Sequence, residues 1–557
     1  MNRHDGTPAR ASMAGKAAPG VFAAAGLIAV VTLAARVFGF GRWLVFSQSV
    51  GATCVGSVYQ AANQLPNVIF EVAAGGALAA VVVPIIAGQL ARKEWAAATR
   101  TASAMLTWAL TVLVPLSILM AMAARGLSTF LVDDHRCAGS TDLVTSMLVV
   151  FSPQIALYGV GIVLAGVLQA HRRFLGAVLA PLLSSLVVIL TYLLFAALAQ
   201  GSGNDLARLP SQASTTLAVG TTLGVAALSL PLLIPVHRAG IRLRPTWSFP
   251  DGVARRASAL AAAGLLALVA QQIAVLVTLW VSQHRGGTGT LNVYVYVQAV
   301  YLLPYAVLAV PVAMSAFPAM ATGSDQASLA RAQSTLAASA RAIIVAACAG
   351  GAVLFAIALP TGAFFSALDA GRHNPAGQEA LAALPGALSA FAPGLVGFSL
   401  AALFTRALYV QGRPAVAGGV VALGWLIAAI VPLAMLHDDV GPRSTLLLLG
   451  LASSVGMSVA AVGLYVAVRR AWGPAAFRGY GRSAVVALGS GALSATVGRG
   501  LTGVLHPEGL VAAAAVAALV AIAVVGLFAV SIWIGDRETA RLAAAKLPRR
   551  ARREMPK

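Results

Sequence analysis

The sequence predicts an all-α polytopic membrane protein, on the basis of its composition, its long apolar segments and the placement of its basic residues. Of its 557 residues, 59% are hydrophobic and 10% are charged, and the mean hydropathy is +0.86. Soluble domains carry about 25% charged residues, so this composition excludes an ordinary soluble protein. Apolar runs long enough to cross about 30 Å of hydrocarbon recur between residues 20 and 534. These runs must be helices, because lipid offers the backbone no hydrogen-bond partner.

We expect about fourteen transmembrane helices, an even number that places both termini on one side. Alternate loops should then differ in Lys and Arg content. The tails and loops on the side of the termini carry 28 of the 38 basic residues, and the opposite loops carry seven. The remaining three, Arg36, Arg42 and Arg406, are assigned to the predicted helices. This bias predicts cytoplasmic termini, and it explains the net charge of +21 without a nucleic-acid partner.

Two sets of matching motifs, each near a spacing of 240 residues, indicate a duplicated half. Phe151-Ser-Pro153 and the later Arg173 match Phe391-Ala-Pro393 and Arg413, with identical internal spacing. A second match joins Gln60-Ala-Ala-Asn-Gln-Leu-Pro66 to Gln298-Ala-Val-Tyr-Leu-Leu-Pro304. Chance similarity between apolar segments is the alternative.

The repeat divides the fourteen helices into two pseudo-symmetric six-helix lobes and two extra C-terminal helices. Helices one to six pair with helices seven to twelve, in the same membrane orientation because six is even. The predicted segments are a cytoplasmic N-terminal tail (1–19), an N-lobe (20–240), a C-lobe (241–470), helices thirteen and fourteen (471–535) and a basic cytoplasmic tail (536–557).

The residues that usually carry catalysis or bind metals are scattered. Cys54, Cys137 and Cys348 form no CxxC or Cys/His cluster, so we expect no metal site. Cys54 and Cys137 both fall in loops on the predicted outer side, where a disulfide is conceivable, although separate thiols are favoured. No HExxH, GxSxG or GxxxxGK[ST] motif occurs. The sequence therefore predicts a protein that is not an enzyme and has no cofactor.

Two arginines in the first helix are the main candidates for substrate binding. A charge at the bilayer centre costs about 2.5–3.5 kcal/mol on insertion scales, so it usually faces a cavity. Arg36 and Arg42 are six residues apart, which places them roughly 120° apart around a helix. Both can border one cavity. Gly39 and Gly41 between them allow bending or close approach of a neighbouring helix.

A polar stripe on the second helix adds further candidates. Its members lie at offsets of 3, 4, 7 and 11 residues, which is one helix face, and they are Gln60, Asn63, Gln64, Asn67 and Glu71. Pro66 within the stripe predicts a kink. The functional interpretation is a hydrated cationic cavity, and the alternative is a buried ion pair of Glu71 with Arg36 or Arg42 that only ties two helices together.

Two arginines against one glutamate leave a net positive site, which favours an anionic ligand such as phosphate. In the C-lobe the repeat equivalent of Arg36 is Gln271, and Gln298 offers another neutral amide, so binding should be asymmetric. The predicted substrate-binding residues of this central cavity are Arg36, Arg42, Gln60, Asn63, Asn67, Glu71, Gln271 and Gln298.

The N-terminal motifs resemble a known family of membrane proteins. Arg36-Val-Phe-Gly-Phe-Gly-Arg42, Leu65-Pro-Asn67, Gly75-Gly-Ala-Leu and Val83-Pro84 are similar to the signature of the MurJ (MviN) lipid II flippases. That family belongs to the multidrug/oligosaccharidyl-lipid/polysaccharide exporter superfamily, in which two six-helix lobes enclose a central cavity. The resemblance implies a bacterial plasma-membrane protein that moves undecaprenyl-pyrophosphate-linked peptidoglycan precursor (lipid II) from the inner to the outer leaflet by alternating access.

By position, Arg36 and Arg42 match the first-helix arginines thought to contact the pyrophosphate in that family. The sequence departs from the family at charged positions, where it has Trp43, Ser57 and Ala299. The resemblance implies a lipid-linked anionic glycan substrate, contact with membrane lipid and cell-wall synthesis proteins as partners. Three alternatives stay open: an exporter of another polyprenyl-linked glycan, an ion-coupled exporter of small molecules that uses Glu71, and a non-transporting cell-wall scaffold.

Overall fold

A computed structural model describes residues 19–250, 253–321, 325–370, 375–438 and 440–537, and these fold as helices without a strand. Of these described residues, 86% are helical. The predicted tails lie outside the described residues, except for Pro19 at the N-terminal end and residues 536–537 at the C-terminal end.

The first half of the described chain contains ten α-helices. Their bounds are α1 Pro19–Ser49, α2 Cys54–Phe70, α3 Gly76–Ala91, α4 Trp95–Met122, α5 Ala124–Leu131, α6 Ser140–Phe151, α7 Gln154–Ala170, α8 Phe174–Ala199, α9 Ser211–Ser229 and α10 Leu233–Arg238. Short 3₁₀ turns occupy Ser202–Asn204 and Leu230–Leu232.

The second half contains ten more α-helices, followed by two at the C-terminal end. Their bounds are α11 Val253–His284, α12 Thr290–Pro304, α13 Val310–Met320, α14 Gln326–Ala356, α15 Ala358–Asp369, α16 Pro375–Ala382, α17 Leu384–Phe391, α18 Gly394–Val410, α19 Pro414–Met435, α20 Gly441–Trp472, α21 Tyr480–Leu505 and α22 Leu510–Gly535. A 3₁₀ turn, Pro474–Phe477, precedes α21.

The number of membrane-spanning helices is close to the expected one. Within the described residues, 11 helices are long and apolar enough to cross a membrane, or 12 if the bent pair formed by residues 375–410 counts as one span. The exact count of fourteen is therefore not confirmed. Two segments predicted to span the membrane, 19–49 and 54–91, are helical but are not among these candidate spans. They contain the candidate arginines and the polar stripe.

Helix packing repeats between the halves, as the duplication predicts. In the first half α1 packs on α8, α8 on α9, and α4 on α7. In the second half α11 packs on α19, α19 on α20, and α14 on α18 in the same order. The C-terminal helices α21 and α22 pack against each other and against α14. The two halves thus share these helix contacts.

The repeat extends to irregular turns inside the helices. Pro66 and Pro304 occupy matched positions, and a π-helical turn follows in each lobe, at Glu71–Gly75 and Tyr305–Ala309. Pro66 lies inside the continuous helix α2, five residues before the first of these turns, whereas Pro304 ends α12 directly before the second. Each lobe thus has a π-turn C-terminal to the matched proline, and the kink expected at Pro66 itself stays a prediction.

The Phe-x-Pro motifs also mark equivalent breaks. Helix α6 ends at Phe151 and α7 begins just after Pro153, while α17 ends at Phe391 and α18 begins just after Pro393. In the second lobe the axes on either side of the break differ by 49°. A proline at the start of a helix costs nothing there, because that position has no intrahelical N–H bond to lose.

Hydrogen bonds near the helix ends fall into two groups, one at each end of the helix bundle. At one end Asn292 Nδ2 donates to Gly51 O at 2.6 Å, and Arg285 Nη1 donates to Leu433 O at 3.0 Å. At the other end Gln333 Nε2 donates to Trp472 O at 2.7 Å. This grouping agrees with alternating traverses. The first end, with loops 50–53, 132–139, 285–289 and 436–438, is called the gate face below.

A disulfide joins Cys54 to Cys137 at the gate face, with their Cα atoms 6.0 Å apart. The preference for separate thiols at these positions is wrong. Their sequence separation of 83 hid their proximity, which follows from α6 returning beside α2. Cys348 is buried within the helix bundle as a free thiol.

Candidate functional site

A cavity of about 820 Å³ lies between the two lobes. Its wall on the N-lobe side is built by α1 and α8, with Arg36, Arg42 and Trp43 from α1. Its wall on the C-lobe side comes from the end of α12, the π-turn Tyr305–Ala309, the start of α13 and Phe398 of α18. The remaining lining is largely apolar and includes Val178, Pro181, Leu302, Leu303, Tyr305, Ala306, Val307 and Val310.

Arg36 and Arg42 are the charged residues in this lining. Six residues of helix separate them by about 9 Å along the axis. Arg36 is exposed and Arg42 is half-buried, and the Arg42 guanidinium carbon lies 5.0 Å from the centroid of the Trp43 ring. Arg42 Nε is buried and makes no hydrogen bond within the described part of the chain.

No acidic side chain among the described residues lies within ion-pair distance of Arg36 or Arg42. The alternative in which Glu71 neutralises one of them is thus absent from this conformation. The positive charge of the two guanidinium groups is therefore available to a ligand.

A smaller cavity of about 260 Å³ adjoins the first and shares Leu302 and Phe398 with it. Its lining carries no charged residue. Three amides, Gln64, Gln271 and Gln298, project into it, so it joins one residue of the polar stripe to the two predicted C-lobe glutamines. Gln298 Nε2 donates to Tyr294 Oη at 3.0 Å.

Aromatic rings complete this second cavity. Trp425 and Phe398 lie edge to face with centroids 6.3 Å apart, and Tyr294 and Tyr301 contribute to the wall. Amides beside aromatic faces provide neutral hydrogen bonding and stacking surface. Sequence reasoning missed Trp425 and Tyr294, because nothing in their local pattern distinguishes them from aromatic residues of the core.

The polar stripe of the second span does not act as one unit. Gln60 is fully buried, and its amide atoms have no hydrogen-bond partner within the described residues. Asn63, Asn67 and Glu71 are half-buried and do not line either of these two cavities. The stripe extends over about 16 Å of helix, which is longer than the part of α2 that borders the smaller cavity.

A layer of aromatic side chains separates the arginine cavity from the gate face. Its members, which we call the aromatic seal, are at most 2% exposed, and they are Phe46, Tyr59, Tyr192, Tyr296 and Phe365. Tyr59 Oη lies 3.0 Å from Tyr192 Oη, and the ring centroids of Phe46 and Tyr296 are 6.2 Å apart across the lobe interface. Because Phe46 lies one turn beyond Arg42 on α1, the seal closes the cavity toward the gate face.

Hydrogen bonds between the lobes reinforce the seal at the gate face. Ser57 Oγ accepts from Gly289 N at 2.9 Å, and Gln283 Nε2 donates to Ser57 O at 3.0 Å. Asn292 adds its bond to Gly51 O. Ser57 is one of the positions where the sequence departs from the MurJ signature, and here its hydroxyl provides an acceptor to the opposite lobe. Nothing in the sequence indicated that Gln283, Gly289 and Asn292 form hydrogen bonds between the lobes.

The fold and the site together define a two-lobed membrane transporter architecture with a cationic cavity at the lobe interface. The model of the family described as "Lipid II flippase MurJ" matches residues 46–530. The chain belongs to this family.

Individual relatives agree with this assignment. The chain is 28% identical over 289 residues to a probable lipid II flippase MurJ of Rhizobium meliloti, a match that covers 49% of this chain and 50% of the relative. It is also 28% identical over 253 residues to a probable lipid II flippase MurJ of Synechocystis, covering 43% and 45%. The chain thus spans about half the length of the curated relatives it matches.

Solved structures show the same fold. The chain is similar to a lipid II flippase MurJ in an inward closed conformation, with a TM-score of 0.69 and 15% identity over 91% of this chain and 98% of that one. It is also similar to an inward-facing multidrug resistance transporter of the MATE family and MOP superfamily, with a TM-score of 0.61 and 15% identity over 80% and 98%.

Proposed function

We propose that the protein is a flippase that moves the undecaprenyl-pyrophosphate-linked peptidoglycan precursor, lipid II, from the inner to the outer leaflet of the bacterial plasma membrane. It does so by alternating access and is not an enzyme. In the proposed orientation both termini are cytoplasmic, and the gate face is the outer side. Cell-wall synthesis proteins that consume the precursor are its expected partners.

The observation that carries this proposal is the pair of uncompensated arginines in the cavity between the lobes. Guanidinium groups bind phosphate oxygens through parallel, charge-assisted hydrogen bonds. A spacing of about 9 Å along one helix lets Arg36 and Arg42 hold the two ends of a diphosphate with its first sugar. A cation exporter needs the opposite sign of charge.

The smaller cavity fits the neutral part of the same substrate. Its amides can exchange hydrogen bonds with sugar hydroxyl and acetamido groups, and Trp425 and Phe398 offer faces for stacking. Because its lining carries no charge, this cavity suits a neutral glycan better than a diphosphate. Substrate binding is therefore asymmetric, with the diphosphate on the N-lobe and the sugars toward Gln271 and Gln298 on the C-lobe.

Translocation requires the lobes to part at the gate face while the opposite side closes. The aromatic seal and the bonds made by Ser57 and Asn292 lie entirely within the volume that must open, and they hold the present conformation closed to the outside. The two units that rotate relative to each other are the predicted N-lobe (20–240) and C-lobe (241–470).

The experiment is a leaflet-accessibility assay of lipid II in cells depleted of the native protein and complemented with variants. Hydrogen bonds to charged groups contribute about 1.5–3 kcal/mol, so each of Arg36→Ala and Arg42→Ala should reduce flipping by about 10- to 150-fold. The double variant should show no flipping above background. Arg469→Ala is the matched control, since Arg469 is exposed and, within the described residues, its side chain donates to Tyr465 one turn away.

Unchanged flipping by the double arginine variant, at normal abundance in the membrane, would end the proposal. Cell growth that is retained while flipping is lost would favour the scaffold instead.

A further inference from the structure

The loop at residues 132–139, here called the latch loop, joins α5 to α6 and is fixed to the N-lobe at two points. The disulfide links its Cys137 to Cys54 at the start of α2. On the other side, Asp134 Oδ1 accepts from Thr141 N at 2.8 Å and from Ser140 Oγ at 2.7 Å. The hydrogen bond from the Thr141 backbone holds the pKa of Asp134 below its ordinary value.

The residue next to the bridge reaches the other lobe. Arg136 Nη2 donates to His284 O at 2.8 Å, at the end of α11. Its guanidinium group lies against Gly287, where an added Cβ would come within 2.8 Å of Nη1. Gly287 has a φ of +85°, so both its backbone and its missing side chain suit this contact. Thr288 Oγ1 lies 3.6 Å from Cys137 Sγ.

The covalent bond and the contact between lobes have different roles. Cys54 and Cys137 both belong to the N-lobe, so the disulfide does not prevent the lobes from parting. Arg136 is not covalently bound to the C-lobe, and its contacts there include the hydrogen bond to His284 O. A loop held in place beforehand loses less conformational entropy when it makes that contact. The disulfide therefore strengthens the hydrogen bond of Arg136 to His284 O by fixing the loop that carries Arg136.

We propose that Cys54 and Cys137 form a redox-controlled latch on the outer gate. When the disulfide is formed, Arg136 is held in position to bind the C-lobe, and the closed gate is favoured. When both cysteines are thiols, the latch loop has more conformational freedom, and the gate opens more readily. The reductant is an extracytoplasmic dithiol: the S–S bond breaks, the two cysteine sulfurs each gain a proton and an electron, and the dithiol becomes a disulfide. Cys137 is partly exposed, so its sulfur can be attacked.

The inference uses the orientation given in the proposed function but does not require lipid II transport. It is tested by the rate at which a membrane-impermeant maleimide, added to intact cells, modifies Ala299→Cys in the arginine cavity. The background carries Cys348→Ala, and labelling of the reporter is quantified by mass spectrometry of its own peptide. Asp438→Cys, at an exposed gate-face position, reports the orientation of the protein.

We expect the reporter to be labelled about five- to tenfold faster after Cys54→Ser with Cys137→Ser. A similar factor is expected after Arg136→Ala, which removes the charge-assisted hydrogen bond to His284 O. Combining the three changes should add little, because both routes break the same contact. Arg125→Ala is the matched control, because Arg125 pairs with Asp142 within the N-lobe. Reduction of the folded protein with an impermeant phosphine should reproduce the serine result without any substitution.

Several results would overturn the latch. They are equal labelling in the reduced and oxidised protein, additive effects of the cysteine and arginine variants, or free thiols at both positions in membranes trapped without reductant. Absent labelling of Asp438→Cys would overturn it together with the orientation. The arginine pair is tested separately, since variants of Arg36 and Arg42 that abolish flipping should retain the redox effect on labelling.

Discussion

Asn292 offers a direct test of how the gate face is held closed. Its side chain is fully buried and donates to Gly51 O across the lobe interface at 2.6 Å. Asn292→Ala removes this donor and leaves a buried carbonyl without its partner. Such a loss costs about 1–3 kcal/mol. The cost falls on the closed state, because the Gly51 carbonyl meets water once the gate face opens.

A shift of 1–3 kcal/mol between two states is a factor of about 5 to 150. Labelling of Ala299→Cys from outside the cell should therefore rise at least about fivefold in Asn292→Ala. The matched control is Gln333→Ala, which removes an amide-to-carbonyl bond of similar length, to Trp472 O, at the opposite face. This control should leave outside labelling unchanged. Equal rates for Asn292→Ala and the parent protein, at equal abundance, would refute the assignment of this bond to the gate.

Three further predictions concern the second cavity, the packing and the acid in the second span. Gln298→Ala and Trp425→Ala should weaken binding of lipid II about tenfold and leave binding of undecaprenyl pyrophosphate unchanged in a competition assay; equal losses for both lipids would contradict a glycan site. Gly397→Val should lower the Tm of the detergent-solubilised protein, since an added Cβ would lie 2.5 Å from Met457 O, whereas Gly419→Val points into open space and should not. Glu71→Gln should retain flipping in the accessibility assay. If the variant instead loses both flipping and a proton-driven efflux activity, the ion-coupled exporter is favoured.

The fold class was predictable because its signals are periodic and redundant. Hydropathy, charge alternation and the two Phe-x-Pro motifs each report on topology independently, and they agree. Pro66 predicted a kink, but it did not predict the π-turn at Glu71–Gly75 or the one at Tyr305–Ala309. Those turns depend on packing against neighbouring helices, which a single sequence does not contain.

The candidate site was predictable where charge is costly in lipid. Arg36 and Arg42 were expected to face a cavity, and both line the cavity between the lobes. The polar stripe was less informative, since helical spacing identifies a face but not how far along the helix the cavity extends. Cys54 with Cys137, and Asn292 with Gly51, join residues distant in sequence, so no local pattern revealed them.

The central claim is that Arg36 and Arg42 bind a diphosphate. The most direct measurement is the affinity of the purified protein in nanodiscs for undecaprenyl pyrophosphate, compared with the Arg36→Ala, Arg42→Ala double variant. Binding to the parent protein should be at least about a hundredfold tighter, from two lost charge-assisted contacts of about 1.5–3 kcal/mol each. Equal affinity of the two proteins would contradict the account.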